Sequence, residues 1–287
     1  LMLRSGNDAA VALAEHVGGS VQGFADMMNK KAEELGLINT HFVTPHGLDD
    51  SQHYTTALEL AELTDYAMQN EKFAQIVGTK STTININGYP RQINNTNELL
   101  GVLNGVVGVK TGFTNNAGRC LVTEVKRNGM DIITVVLGAD TKKDRTRDSV
   151  KLIEYTYSNY KMYNVREKIT EKFNEWKSIN SDRIEIIKGK GDKLNLALGE
   201  ISVDWLPLQD SKIDNVECEF NTLTTMEAPV EEWTKIGTMV VKIDGEIIDT
   251  IDILNTNQVN KKTWFDYFKQ CLLTIPVLGD TFLKQAY

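Results

Sequence analysis

Apolar residues recur at helical spacing through the first third of the chain, then switch to alternation. Asp8 to Val17 is rich in Ala and Val and ends at Gly18-Gly19, a pattern that predicts a buried helix. Ser20 stands as a cap before Val21, Phe24, Met28, Ala32 and Leu35, with Gly36 as the stop. Thr56 followed three residues later by Glu59 is a capping box, opening a helix with Leu60, Leu63 and Ala67 on one face. Between these helices Asn39 to Tyr54 is a loop containing Thr44-Pro45-His46-Gly47-Leu48-Asp49. His46 is a loop residue there, beside the turn glycine Gly47.

From residue 82 the period is two. Thr82–Ile86 and Tyr89–Ile93 flank Asn87-Gly88, a hairpin signal. Val106–Thr111 is a candidate strand. Arg119–Lys126 and Met130–Leu137 flank Asn128-Gly129 as a second hairpin, and the nearly all-apolar run Ile132–Leu137 is expected in the middle of a sheet. A helix over about Arg145 to Tyr160 closes this region, giving helices, an antiparallel sheet and a returning helix, an α+β architecture. After Lys161 the pattern offers strands at Arg183–Lys188, Lys193–Leu198, Ile213–Phe220, Lys235–Ile243 and Glu246–Leu254, with no helical period between them, which predicts a separate all-β domain. The expected divisions are 1–161, 162–256 and 257–287.

The last division holds Trp264, Phe265, Tyr267, Phe268, Cys271, Leu272 and Ile275 on one helical face. Thr263 caps it, Lys261-Lys262 precede it and Pro276 ends it. An aromatic apolar face with basic flanks over 263–275 suits an interfacial membrane helix; the alternative is a helix docked on its own protein. No apolar run is long enough to span a bilayer.

Composition narrows the chemistry. The chain has 287 residues, long enough for two domains, and a formal net charge of −8, which argues against a nucleic-acid partner. Cys120, Cys218 and Cys271 match no metal spacing and no closed disulfide framework. No metal or organic cofactor is implied.

Two short motifs carry the candidate chemistry: Ser5-Gly6-Asn7 before a helix and Lys110-Thr111-Gly112 on a strand. Acyl transfer from a peptide needs a nucleophile, proton transfer, an oxyanion hole and a grip on the substrate. The Lys110 ammonium and the Thr111 hydroxyl can hold a carboxylate. Gly112 lets a substrate backbone approach, and the Phe113 N–H can polarise a carbonyl. Ser5 can relay a proton to the leaving amine, and Asn7 can hold a peptide group. Taken singly, Ser5 and Asn7 are equally plain capping residues, and Lys110 a solvated strand end.

Together with Arg4-Ser5-Gly6-Asn7-Asp8-Ala9-Ala10, Phe42–Asp49, Gly108–Thr114 with Ala117-Gly118, Val135–Ala139 and Ala228-Pro229-Val230, these motifs make the chain resemble the low-molecular-mass penicillin-binding proteins that are D-alanyl-D-alanine carboxypeptidases, serine peptidases of family S11. The resemblance implies a transpeptidase-like α+β domain followed by a small all-β domain and an amphipathic C-terminal helix. It also implies removal of the terminal D-alanine from peptidoglycan stem peptides through an acyl-serine, and inhibition by β-lactams. The location it implies is the extracytoplasmic face of the bacterial cytoplasmic membrane, after export by a signal peptide. Ser5 and Asn7 match the family's second motif and Lys110, Thr111 and Gly112 its third, while Arg145 matches the arginine that binds the substrate's terminal carboxylate.

The family's nucleophilic S-x-x-K precedes the second motif, and no such string stands before Ser5. Ser158-Asn159-Tyr160-Lys161 follows the K-T-G and is rejected on order. The chain is therefore expected to be an N-terminally shortened enzyme, inactive alone. The alternatives are a non-catalytic stem-peptide binder that keeps a carboxylate clamp, and a β-lactamase. The extra β domain, the C-terminal helix and the lack of a well-placed glutamate for deacylation speak against the β-lactamase.

Overall fold

Caps and close glycines begin the first unit. In the computed structural model, which describes residues 1–191 and 193–271, the chain divides into Leu1–Asn159 and Tyr160–Tyr287. Helix α1 spans Asn7–Gly18 and α2 Val21–Glu34. The Ser20 hydroxyl caps α2 by accepting from the Gly23 N–H at 3.0 Å. The two helices meet so closely that a Cβ on Gly18 would lie 2.4 Å from the Phe24 nitrogen, and one on Gly23 2.3 Å from the Gly18 oxygen. Only glycine fits at either place. The expectation of a buried α1 fails: Ala10 and Ala14 are buried, but Leu13 and Val17 are half exposed. Its apolar residues surround the axis, while its seat is only the narrow strip that the two alanines occupy.

Helix α3 spans Ala57–Met68 and α4 Glu71–Val77. Half of the capping box forms, since the Thr56 hydroxyl accepts from the Glu59 N–H at 3.2 Å. Glu59 does not reach back. Its carboxylate turns to the loop, accepting from the Asn39 N–H at 2.8 Å, the Asn39 amide at 3.0 Å and the Thr40 hydroxyl. Strands β1 (Ser81–Ile86) and β2 (Tyr89–Asn94) form the hairpin expected from Asn87-Gly88 and lie at the surface.

The main sheet runs β3 (Lys110–Thr114), β4 (Gly118–Arg127), β5 (Met130–Ala139), all antiparallel. The residues expected to begin the first of these, Val106 to Val109, follow β4 irregularly, with the Val107 and Val109 N–H groups donating to Glu124 and Val122 at 3.0 Å. The regular ladder starts only at Lys110. Apolar β5 is not central: among the described strands it is an edge, as is β3. Helix α5 (Lys142–Asn159) packs on one face, where Ile132 meets the Leu121, Val125 and Ile153 cluster. Helix α3 packs beside Ile133 on the other. A helix on each face produces the same unbroken apolar run as a neighbouring strand on each side. Near the open end of the hairpin the register slips: Leu121 pairs with Val136, but Arg119 pairs with Ala139. One extra β5 residue is accommodated there, with Gly138 at φ 72°.

The second unit holds β6 (Lys161–Asn164), α6 (Val165–Asn180), β7 (Glu185–Ile187), β8 (Leu196–Leu198), β9 (Trp205–Leu208), β10 (Val216–Thr222), β11 (Thr225–Glu227), β12 (Lys235–Ile243) and β13 (Glu246–Asn255). A four-stranded sheet in the order β10-β12-β13-β8 carries its core, with Ile236, Met239, Val241, Ile251 and Ile253 buried. The expected lack of a helical period after Lys161 is corrected by α6. Its Val165, Ile169 and Phe173 enter the core, and Trp176 stacks on Phe220 at 4.6 Å. Those apolar residues do recur at helical spacing, but most other positions in the segment are polar and mask the stripe.

A last helix, α7, covers 264–271; residues 272–275 of the expected amphipathic segment lie outside the described residues. Asp266 accepts from the Thr263 N–H at 2.7 Å and pairs with Lys190 at 3.0 Å. Trp264 and Phe265 are 77% and 66% exposed, so the described part of the helix docks no aromatic face. Among the described residues no helix is long and apolar enough to cross a membrane.

Candidate active site

A cleft of about 570 Å³ lies at the open end of the first unit's sheet. It gathers all seven residues singled out by sequence: Ser5, Asn7, Lys110, Thr111, Gly112, Phe113 and Arg145. Ser5 and Asn7 do not cap α1. The N-cap is Gly6 and has no side-chain cap, and Ser5 holds a positive φ of 57°, sparsely populated for a side-chain-bearing residue. Their side chains are thereby left for the cleft.

Lys110 begins β3 at the sheet edge. Its ammonium donates to the Ser5 hydroxyl and to the Thr111 carbonyl, the latter at 2.7 Å. Burial, and then the nearby positive charge of Arg145, hold its pKa below the ordinary lysine value. Strand alternation sets Lys110 and Gly112 on one face. A Cβ on Gly112 would meet the Cys120 Cβ at an ordinary 3.6 Å, so the protein itself leaves room for a side chain there. Phe113 lies beyond it, with the Arg119 guanidinium carbon 3.5 Å from its ring centroid.

Arg145, in the first turns of α5, is only 3% exposed, which excludes a solvated surface arginine. It donates to Glu98 at 3.2 Å, and its buried Nε meets no acceptor among the described residues. Glu98 also accepts from the Thr146 hydroxyl. The sequence reading passes over several residues that the cleft uses. Thr96 joins the Thr111 hydroxyl at 2.7 Å, and its N–H donates to the Leu3 carbonyl at 3.0 Å. Buried Asn97 donates to the Gly108 carbonyl at 3.0 Å, fixing the approach to β3. Arg119 and Lys142 line the rim. The clue available in sequence is the polar run Asn94–Glu98, too rich in hydrogen-bonding groups for an idle loop.

His46 lines the cleft, and its Nδ1 accepts from the Leu48 N–H at 3.2 Å, as a loop residue. The loop is fastened behind the cleft by the His53 Nδ1, which accepts from the Val43 and Thr44 N–H groups at 3.0 and 3.3 Å. Ser158 stands in the last turn of α5 and Lys161 begins β6; neither lines the cleft. Among the described residues no group of three metal-binding side chains occurs.

Residues 1–141 match a family model described as D-alanyl-D-alanine carboxypeptidase, and residues 177–261 one described as penicillin-binding protein 5, C-terminal domain. D-alanyl-D-alanine carboxypeptidase DacF of Bacillus subtilis (strain 168) is 30% identical over 273 residues, covering 95% of this chain and 68% of that protein. This chain belongs to the D-alanyl-D-alanine carboxypeptidase family. DacA of Haemophilus influenzae, another D-alanyl-D-alanine carboxypeptidase, is 32% identical over 90% of the chain and 63% of its own length. The chain thus spans about two thirds of these relatives. The solved structure of penicillin binding protein 5 from Haemophilus influenzae superposes with a TM-score of 0.64 at 29% identity, over 91% of this chain and 72% of that one. Membership of the carboxypeptidase family accords with the α+β first unit and the β-rich second.

Proposed function

We propose that the protein to which these residues belong is a serine-type D-alanyl-D-alanine carboxypeptidase that removes the terminal D-alanine from peptidoglycan stem peptides. One observation carries this: the Lys110 ammonium bridges Ser5 and the Thr111 carbonyl in a cleft that also holds Asn7 and buried Arg145. In this reading the substrate's terminal carboxylate is held by Arg145, Thr111 and Lys110, planar guanidinium suiting carboxylate. The peptide lies along the β3 edge over Gly112, and the Phe113 N–H helps polarise the scissile carbonyl. Ser5, hydrogen-bonded to the lysine, returns a proton to the leaving amine. Asn7 orients the peptide group.

The attacking serine is expected from an S-x-x-K segment, which is not found at the cleft among the described residues; these 287 residues alone are expected to form no acyl-enzyme. β-Lactams, whose carboxylate and carbonyl imitate the substrate's, are expected to acylate the full-length product. Labelled penicillin and mass spectrometry test both points. A covalent adduct on the full-length gene product, lost in Lys110→Ala and Ser5→Ala, is expected; an adduct that survives Lys110→Ala would overturn the site.

The exposed aromatics of α7, preceded by Lys261-Lys262, support attachment to a membrane surface, on the extracytoplasmic side where the substrate lies. Trp264→Glu is expected to reduce sedimentation with anionic vesicles at least several-fold and to leave penicillin acylation unchanged. Unaltered sedimentation refutes the attachment.

A further inference from the structure

The charges that line the cleft are all of one sign. Lys110, Arg119, Lys142 and Arg145 face it, and no Asp or Glu does among the described residues. Grouping these cations, of which only Arg145 has an ion pair among the described residues, with Glu98, is unfavourable unless an anion arrives, and it happens in a chain whose formal net charge is −8. A single terminal carboxylate engages Lys110 and Arg145 in the carboxypeptidase reading, which leaves Arg119 unexplained. Its guanidinium has no ion pair or side-chain hydrogen bond among the described residues. It is held instead by Phe113, its ladder partner, with the ring centroid 3.5 Å from Cζ. Stacking of this kind fixes a planar guanidinium while leaving its N–H fork unused, the state in which arginine recognises carboxylates.

The ladder gives the spacing. Phe113 lies three residues along β3 from Lys110, roughly 10 Å at strand rise. An extended substrate advances about 3.3–3.6 Å per residue. A group held at Arg119 therefore belongs to a residue upstream of the scissile bond, beyond reach of the leaving D-alanine.

We propose that Arg119, seated on Phe113, is a specificity-determining residue that holds a second carboxylate of the substrate, carried by the residue preceding the D-alanyl-D-alanine pair. The inference rests on the carboxypeptidase reading and names the substrate class within it: stem peptides with a free, unamidated acid at that residue.

The test uses the full-length gene product and two isosteric peptides, N-acetyl-L-Glu-D-Ala-D-Ala and N-acetyl-L-Gln-D-Ala-D-Ala, with released D-alanine as readout. The glutamyl peptide is expected to be favoured in kcat/KM by about tenfold, the size of one charge-assisted hydrogen-bonded pair. Arg119→Gln should bring the ratio close to one, and Arg119→Lys should keep only part of it. The wild-type preference should also shrink as salt is raised, a readout that needs no variant. Equal release from both peptides by the wild type overturns the Arg119 assignment alone, as does a preference that survives Arg119→Gln. Release from neither peptide overturns the carboxypeptidase reading and this inference with it.

Discussion

At the residue scale the cleft is a set of polar groups whose usual structural partners have been withheld. Ser5 and Asn7 stand at a helix start and cap nothing, and the Arg145 Nε is buried without an acceptor. Burial first, and then the charge of neighbouring Arg145, hold the Lys110 pKa below the ordinary lysine value. Removing that charge in Arg145→Gln should let the Lys110 pKa rise, because a like charge disfavours the protonated form. The alkaline limb of penicillin acylation by the full-length product should then move to higher pH, which a pH–rate profile measures. Gly112→Ala should behave differently. Its methyl meets only an ordinary contact at Cys120, so thermal stability should change little, while a substrate lying on the Lys110 face loses its close approach. A several-fold fall in acylation rate without a shift in Tm is the expected result. Motif residues are legible in the sequence because their identity is their chemistry. Thr96 and Asn97 are not, since an amide or hydroxyl acquires a role only once folding brings β3 to it.

At the element scale, loop 39–54 is held by side chains that a turn pattern does not reveal. Thr56-x-x-Glu59 predicts a reciprocal cap, yet Glu59 spends its carboxylate on Asn39 and Thr40, and only the Thr56 half forms. Thr56→Ala should cost α3 about 1 kcal/mol, the usual worth of such a cap, measurable by thermal denaturation. His53 accepts two backbone N–H groups through Nδ1, which it can do only while that nitrogen is unprotonated. Burial chiefly lowers its pKa below the ordinary 6.5, against the opposing pull of Asp50. A base depressed in the folded state stabilises above its unfolded value, and the contribution is lost as pH falls below 6.5 through the folded value. The protection of the Val43 and Thr44 amides against hydrogen exchange, taken relative to the intrinsic rate, should fall across that window. His53→Gln should abolish the acid-side change. The hairpins at Asn87-Gly88 and Asn128-Gly129 are legible because their turns demand those residues; the edge position of β5 is not, because helix cover and strand cover leave the same apolar signature.

At the scale of the whole molecule, each unit keeps its own core, and its strands can be found by alternation wherever one face is wet. Helix α6 escapes because its apolar stripe of Val165, Ile169, Phe173 and Trp176 is embedded in charge, although Ile169 is fully buried. Ile169→Ala should destabilise the second unit by about 2–5 kcal/mol, seen as an earlier unfolding transition. The first unit's own transition serves as the internal reference. The register slip between Arg119 and Leu121 makes chain length a functional variable. Adding a residue at the Asn128-Gly129 tip lengthens only a surface turn. The same change at Leu137–Ala139 would slide the start of α5 by one strand step, about 3.3 Å, past β4. Lys142 and Arg145 would travel with it while Arg119 stayed behind. Insertions should therefore be absorbed at the turn of this hairpin and purged in the last residues of β5.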